Sequence, residues 1–165
     1  MPRISIPIPI ETSGVLPCFM VNKFVSNPTL KGSYAEGIWK GFQLIDGHQI
    51  IQNENQILLR MKVEPGLCNY MGSIHGGALT TIVDCATTLA ILNVDRKLRK
   101  SVSAELNFSF MNPATTKDHI LIRAECSKVG KTLAFTQADI FTEEGLKIVG
   151  KGQHIKAMLD QPYDS

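Results

Sequence analysis

Long hydrophobic runs, paired cysteines and an excess of charge are all lacking in this 165-residue chain. Its apolar runs stop short of the roughly 18 residues that a transmembrane helix requires, so we predict no membrane span. The four cysteines include no C-x-x-C pair and no matching histidine spacing, which argues against a metal site and against a disulfide framework. The cysteine spacing is typical of a protein with reduced thiols inside a cell.

The net charge of +2 is too small to predict binding to nucleic acid, and no basic stripe is interleaved with aromatic residues. Four basic residues nevertheless follow the most apolar segment of the chain. They are either solvated cations at the C-terminus of a helix or contacts for a phosphate group. The cluster consists of Arg96, Lys97, Arg99 and Lys100.

The length and the 44% content of apolar residues are those of one globular domain with its own core. Five prolines interrupt the first thirty residues, which predicts an extended arm at 1–33 ahead of a single domain at 34–160. The arm lacks the apolar stretch of a secretory signal and has few basic residues for a mitochondrial presequence. We therefore expect a cytoplasmic protein, with the mitochondrion as the alternative.

A polar loop, a glycine-led helix start and one carboxylate follow each other closely between Asn69 and Asp84. A helix that begins near Gly76 would direct unpaired backbone N–H groups at the loop, where they can hold developing negative charge. His75 stands directly before this glycine. His75 caps the helix, packs in the core, or belongs to the site formed by the loop and the helix start.

Asp84 lies on a predicted helix that is apolar on nearly every side. The exception is a polar seam, spaced three and four residues apart, of Thr80, Thr81, Asp84, Thr87 and Thr88. No lysine or arginine lies between Lys62 and Arg96. A buried Asp84 must therefore find a distant partner, stay protonated, or bind substrate and water. The alternative is an ordinary aspartate that faces solvent or caps a neighbouring segment.

The rest of the chain has the periodicity of strands, after a short helix predicted at 34–40. Runs at 42–51 and 56–63 predict a hairpin, and strict alternation at 101–110 predicts a half-buried strand with Ser103, Glu105 and Asn107 on one face. Further runs at 119–128, 132–142 and 146–159 are joined by short turns and so are antiparallel neighbours. We predict an α+β fold in which a six-stranded antiparallel sheet wraps one long central helix.

These motifs together resemble the hotdog-fold acyl-CoA thioesterases of the PaaI-like and thioesterase superfamily member 2 type. The resemblance covers residues 42–158 and implies hydrolysis of acyl-CoA, with CoA as part of the substrate, no other cofactor and no metal. The matching pieces are Asn69 with Gly72, His75-Gly76-Gly77, Asp84, Ser103 to Asn107, Met111 to Ala114, Gly130 to Phe135, and Gly152 to His154.

The resemblance also implies roles for individual residues. Asp84 would be the general base or the nucleophile, and it would face the loop of a second subunit, which implies a homodimer or homotetramer. Asn69 and the amide of Gly76, next to His75, would orient the thioester carbonyl. Ser103 would help to place the attacking water; Ser101 is a rival because the link from Asp84 is one residue longer than in related sequences.

By the same resemblance the CoA nucleotide would lie over two segments, with Lys131 and the basic cluster as candidate phosphate partners. Lys131 is equally well explained as a lysine in a hairpin turn. The residues of the two segments are Phe110, Met111, Asn112 and Pro113, and Lys128, Gly130, Lys131 and Thr132. Two other functions stay open, a non-catalytic acyl-CoA-binding protein and a hydratase or dehydratase acting on acyl thioesters.

Overall fold

The computed structural model describes residues 31–45 and 55–163. The predicted arm at 1–33 lies almost wholly outside the described residues, as does the part of the first predicted strand beyond residue 45. The elements in chain order are α1 (Glu36–Gly41), β1 (Gln43–Leu44), β2 (Gln56–Lys62), α2 (Gly76–Val94), β3 (Arg99–Phe110), β4 (His119–Val129), β5 (Leu133–Thr142) and β6 (Ile148–Pro162).

The strands form one antiparallel sheet in the order β1-β2-β4-β5-β6-β3. Five strands have between 7 and 15 residues, whereas the described part of β1 has 2. β3 follows α2 directly in the chain and occupies one edge of the sheet, beside β6. The predicted architecture of one long helix against an antiparallel sheet is confirmed.

Helix α2 supplies the centre of the core. Ile82, Val83, Ala86 and Ile91 are completely buried, and burying a side chain the size of valine or isoleucine contributes about 1.5–3 kcal/mol. By length and composition α2 would also qualify as a membrane span, but 67% of its apolar window is buried inside the fold. It is therefore the core helix that the sheet covers.

Strand β3 departs from the predicted alternation at Ala104. Ser103 pairs with Lys156, whereas Glu105 pairs with Ile155, so Ala104 is the extra residue of a β-bulge. One extra residue exchanges the two faces of a strand, because side chains alternate with a period of two. The prediction that Ser103 shares a face with Glu105 is therefore wrong. The bulge turns Ser103 towards α2 and leaves Val102 51% exposed.

Candidate active site

Asp84 lies in the middle of α2, and its carboxylate receives two side-chain hydrogen bonds on the same oxygen. Lys156 Nζ donates to Oδ1 over 2.6 Å, and Ser103 Oγ donates to Oδ1 over 3.3 Å. The side chain of Asp84 is 43% exposed. Of the possibilities left by the sequence, the structure therefore shows the distant partner, a lysine 72 residues further along the chain.

Lys156 was not predicted as a site residue. It occupies an inward position of β6 and is 4% exposed, and its ammonium also donates to Thr88 Oγ1 over 2.8 Å. The signal in the sequence is the run His154-Ile155-Lys156, in which the two polar residues face the core and the isoleucine lies on the outer face. A pattern in which apolar residues face the core predicts the opposite orientation, with Ile155 inside and the two polar residues outside.

His154 lies next to this pair on β6. Its Nδ1 is 2.7 Å from Thr87 Oγ1 and 3.9 Å from Asp84 Oδ1. Burial, together with the positive charge of Lys156, lowers the pKa of His154 to about 4, although Asp84 opposes the shift. The imidazole is therefore neutral near pH 7. Asp84 has its cationic partner in Lys156 and not in His154.

The threonines of the predicted polar seam direct their hydroxyl groups back into the helix. Thr80, Thr81 and Thr88 donate to backbone carbonyls three or four residues earlier, as Ser and Thr often do inside helices. Thr87 likewise lies 2.7 Å from the carbonyl of Val83. The seam consequently has fewer free hydroxyl groups than its sequence suggests, and Asp84 is its main polar feature.

The loop before α2 is held by Asn69. The Oδ1 of Asn69 accepts hydrogen bonds from the backbone N–H of Met71 at 2.9 Å and of Ser73 at 3.3 Å, and its Nδ2 donates to Ser73 Oγ at 3.2 Å. Gly72 has a φ of +79°, a conformation that favours glycine. In this arrangement Asn69 shapes the loop that precedes the helix.

His75 is the N-cap of α2, where its Nδ1 accepts a hydrogen bond from the N–H of Gly77 over 2.8 Å. The N–H of Gly76 is at the first helical position, which has no acceptor within the helix, so it is available to an anion. The ring of Phe110 covers this glycine, because a Cβ built on Gly76 would lie 3.0 Å from Phe110 Cε1. The capping alternative for His75 is thus observed.

Gly76 and Asp84 of one chain are separated by eight helical residues, which corresponds to about 12 Å along the axis. One thioester carbonyl cannot have its carbon within about 3.5 Å of an attacking group at Asp84 while its oxygen accepts a hydrogen bond from the Gly76 N–H of the same helix. The two groups can serve one substrate only if they come from different chains.

The two segments predicted for CoA lie at opposite ends of the sheet. Phe110 is at the end of β3 that pairs with Gly150, whereas the turn before Leu133 is level with Val102 at the other end. Eight residues of strand separate these ends, about 26 Å. Within a single chain the structure therefore does not bring the two segments together.

Part of the predicted nucleotide surface is already used inside the chain. Asn112 Nδ2 donates to the carbonyl of Ile148 over 2.6 Å. Arg99 pairs with Asp95 at 3.0 Å and donates to the carbonyls of Gly130 and Lys131 at 3.2 and 3.0 Å. Arg99 thus fixes the β4–β5 turn, and its guanidinium is already engaged within the chain.

Comparisons with known proteins identify related sequences and structures. A model of the thioesterase superfamily matches residues 71–149. Human acyl-coenzyme A thioesterase 13 is 38% identical over 101 residues, which are 61% of this chain and 71% of the human protein. Zebra fish thioesterase superfamily member 2 superposes with a TM-score of 0.74 at 26% identity, covering 90% of this chain and 100% of that one. The E. coli PaaI protein shares the fold, with a TM-score of 0.69 at 17% identity over 91% of this chain and 99% of its own.

Proposed function

This chain belongs to the thioesterase superfamily, and we propose that it hydrolyses acyl-CoA to a free carboxylic acid and CoA, with Asp84 as general base or nucleophile. Its fold is the hotdog fold, a central helix against an antiparallel sheet. The observation that carries the proposal for Asp84 is its carboxylate, which is anchored through Oδ1 by Lys156 and Ser103 while remaining 43% exposed.

Such a carboxylate can perform either of two first steps. It can accept a proton from a water molecule as the water attacks the thioester carbonyl, after which the C–S bond breaks. Alternatively it can attack the carbonyl itself and expel the CoA thiolate, which leaves a mixed anhydride that water then hydrolyses. The leaving thiol has an ordinary pKa of about 8.5, so the reaction does not require a strong general acid. In both routes an N–H donor must stabilise the oxyanion, and the Gly76 N–H is the candidate.

We propose that the working enzyme is a homodimer, alone or within a homotetramer. The separation of about 12 Å between Gly76 and Asp84 along one helix supports this proposal, since each site would then combine Asp84 of one chain with Asn69 and Gly76 of another. The edge strand β3 also supports it. Its 12 residues pair with β6 on one side only within the described residues, and unpaired edges readily add a second strand.

The same arrangement suits recognition of CoA. Two chains joined along antiparallel edges would bring Phe110, Met111 and Pro113 of one chain near the turn of Lys128, Gly130, Lys131 and Thr132 of the other. The exposed side chains of Phe110, Met111 and Pro113 can contact the adenine and pantetheine parts of CoA. Lys131 can contact its phosphates. Asn112 would contribute through its backbone, because its side chain is already bonded to Ile148.

We place this activity in the metabolism of lipids or other acyl groups, in the cytoplasm or alternatively in the mitochondrion. The three cysteines of the described residues, Cys68, Cys85 and Cys126, are free thiols, which is typical of a reducing compartment. Fractionation of cells that express the full chain with a C-terminal tag would distinguish the two locations.

The decisive experiment is a thiol-release assay on acyl-CoA esters of graded length, including one aromatic acyl group. Wild-type protein should release CoA from at least one ester, and Asp84→Asn should not. Glu144→Gln is the matched control, because it makes the same chemical change at an exposed residue of the turn between β5 and β6. Sedimentation at micromolar concentration should give a dimer or tetramer. An active 18.2 kDa monomer would exclude the shared site.

A further inference from the structure

A buried lysine that contacts the candidate base has no role yet in the proposed reaction. Lys156 is 4% exposed, although lysine is almost never buried without a partner. Removing an ammonium group from water is costly, and a well-packed apolar residue in the same place would often be neutral or stabilising. The presence of Lys156 inside the sheet therefore calls for an explanation other than stability.

The ammonium group of Lys156 is held in one position. It donates to Asp84 Oδ1 at 2.6 Å and to Thr88 Oγ1 at 2.8 Å. The hydroxyl of Thr88 donates in turn to the backbone carbonyl of Asp84 at 2.8 Å, so its oxygen is left to accept from the lysine. A long side chain that is normally mobile is thus fixed by burial and by two acceptors on the same helix.

The hydrogen bonds also distinguish the two carboxylate oxygens. Both side-chain donors to Asp84, Lys156 and Ser103, reach Oδ1. The two donors stand directly opposite each other in the β3–β6 ladder, so their spacing is set by the sheet. Oδ2 is consequently the oxygen that the described contacts leave for water or for the thioester carbon.

We propose that Lys156 is a positioning residue that pairs with Asp84 and holds its Oδ1, so that Oδ2 is the oxygen that reacts. This inference rests on the proposed function, since it assigns Lys156 to the activity of Asp84. It attributes no direct contact with the substrate to the lysine. The charge of Lys156 would act on the carboxylate alone, through a short ion pair in which the ammonium group is buried.

Three further titratable groups lie near the pair. They are Cys85 on α2, His154 on β6 and Tyr163 after β6. Burial raises the pKa of the Cys85 thiol to about 12 and that of the Tyr163 phenol above its usual value. Burial lowers that of His154 to about 4. Near neutral pH, Lys156 is therefore the cation that faces Asp84.

The test compares kcat and KM in wild type, Lys156→Met and Lys156→Arg. Methionine keeps most of the length of the side chain and removes its charge. We expect Lys156→Met to lower kcat about 10²-fold with KM changed by less than about threefold. Lys156→Arg keeps a cation at this position, so it should restore most of kcat.

Lys151→Met is the matched control, because Lys151 lies on the same strand with 57% of its side chain exposed. If Lys156→Met does not fold, Lys156→Gln is compared in the same way. An unchanged kcat in Lys156→Met would overturn the inference. So would a kcat in Lys156→Arg that is as low as in Lys156→Met, since the loss would then follow from packing and not from the missing cation. The proposed function fails separately, if Asp84→Asn hydrolyses acyl-CoA at the wild-type rate.

Discussion

Ser103 and Lys156 stand opposite each other in the β3–β6 ladder, and both donate to the same oxygen of Asp84. Two strands and the central helix therefore meet at one carboxylate. The β-bulge at Ala104 makes this possible, because it turns Ser103 towards the helix while β3 from Glu105 to Phe110 pairs regularly with β6.

This geometry ranks the two candidate serines. Ser101 pairs with Met158, two residues along β3 from the position opposite Lys156, whereas Ser103 Oγ is 3.3 Å from Asp84. We expect Ser103→Ala to lower kcat about tenfold, because an orienting hydroxyl group is lost while the base remains. Ser101→Ala should stay close to wild type. Steady-state rates of CoA release measure both, and a larger loss in Ser101→Ala would reverse the assignment.

Asp84→Asn should affect stability as well as turnover. The change removes the anionic partner of a buried ammonium group, and breaking a fully buried pair costs about 3–5 kcal/mol. Since Asp84 is 43% exposed, solvent screening reduces the expected loss to about 1–2 kcal/mol. Urea denaturation measures this loss.

The double variant Asp84→Asn/Lys156→Met provides the control for that measurement. It should regain much of the lost stability and none of the activity, because the buried charge is gone but the base has not returned. If Lys156→Met lowers the free energy of unfolding by the same amount in wild type and in Asp84→Asn, the two side chains do not interact.

Acid should destabilise the fold through His154. Its pKa of about 4 in the folded protein lies below the ordinary 6.5, so the unfolded chain binds a proton first as the pH falls. Stability from the neutral imidazole is therefore present above about pH 6.5 and is lost between 6.5 and 4, by at most roughly 3 kcal/mol. Urea unfolding of wild type and His154→Gln near pH 7 and near pH 5 should give a smaller pH dependence for the variant. Equal dependence would contradict the assignment.

Gly76→Ala should impair the site without unfolding the helix. A Cβ at this position would meet Phe110 Cε1 at 3.0 Å, so the ring must move and the approach to the Gly76 N–H is narrowed. We expect kcat/KM to fall about 10-fold or more, within the range found when an oxyanion donor is impaired. Gly37→Ala is the control, because no atom lies within 4 Å of a Cβ at that glycine. Equal kinetics in the two variants would remove Gly76 from the site.

Lys131→Ala should weaken recognition of CoA and not the chemical step. Its side chain lies on an exposed turn that Arg99 holds through backbone carbonyls, so the turn should survive the change. We expect a higher KM for CoA esters, a kcat near wild type and a smaller rise of KM with ionic strength. Pantetheine esters of the same acyl group, which lack the nucleotide, should not distinguish the variant from wild type.

The central helix and the strands could be predicted from the sequence alone. So could the glycine at the helix start and Asp84 as the one carboxylate of the polar seam. These are local features, because they depend on periodicity and on the conformations that single residues allow. The starts of β4 and β5 were predicted to within one residue, since short turns leave little choice.

The side chains that contact Asp84 can be identified only from the tertiary structure. Lys156 is 72 residues away in the chain, and its inward orientation depends on the register of β6. The orientation of Ser103 depends on a bulge, which no alternation of residue types reveals, because one extra residue reverses the faces of a strand. Register and bulges are set by packing across the whole sheet. Local sequence patterns therefore single out Asp84 but not the side chains that donate hydrogen bonds to it.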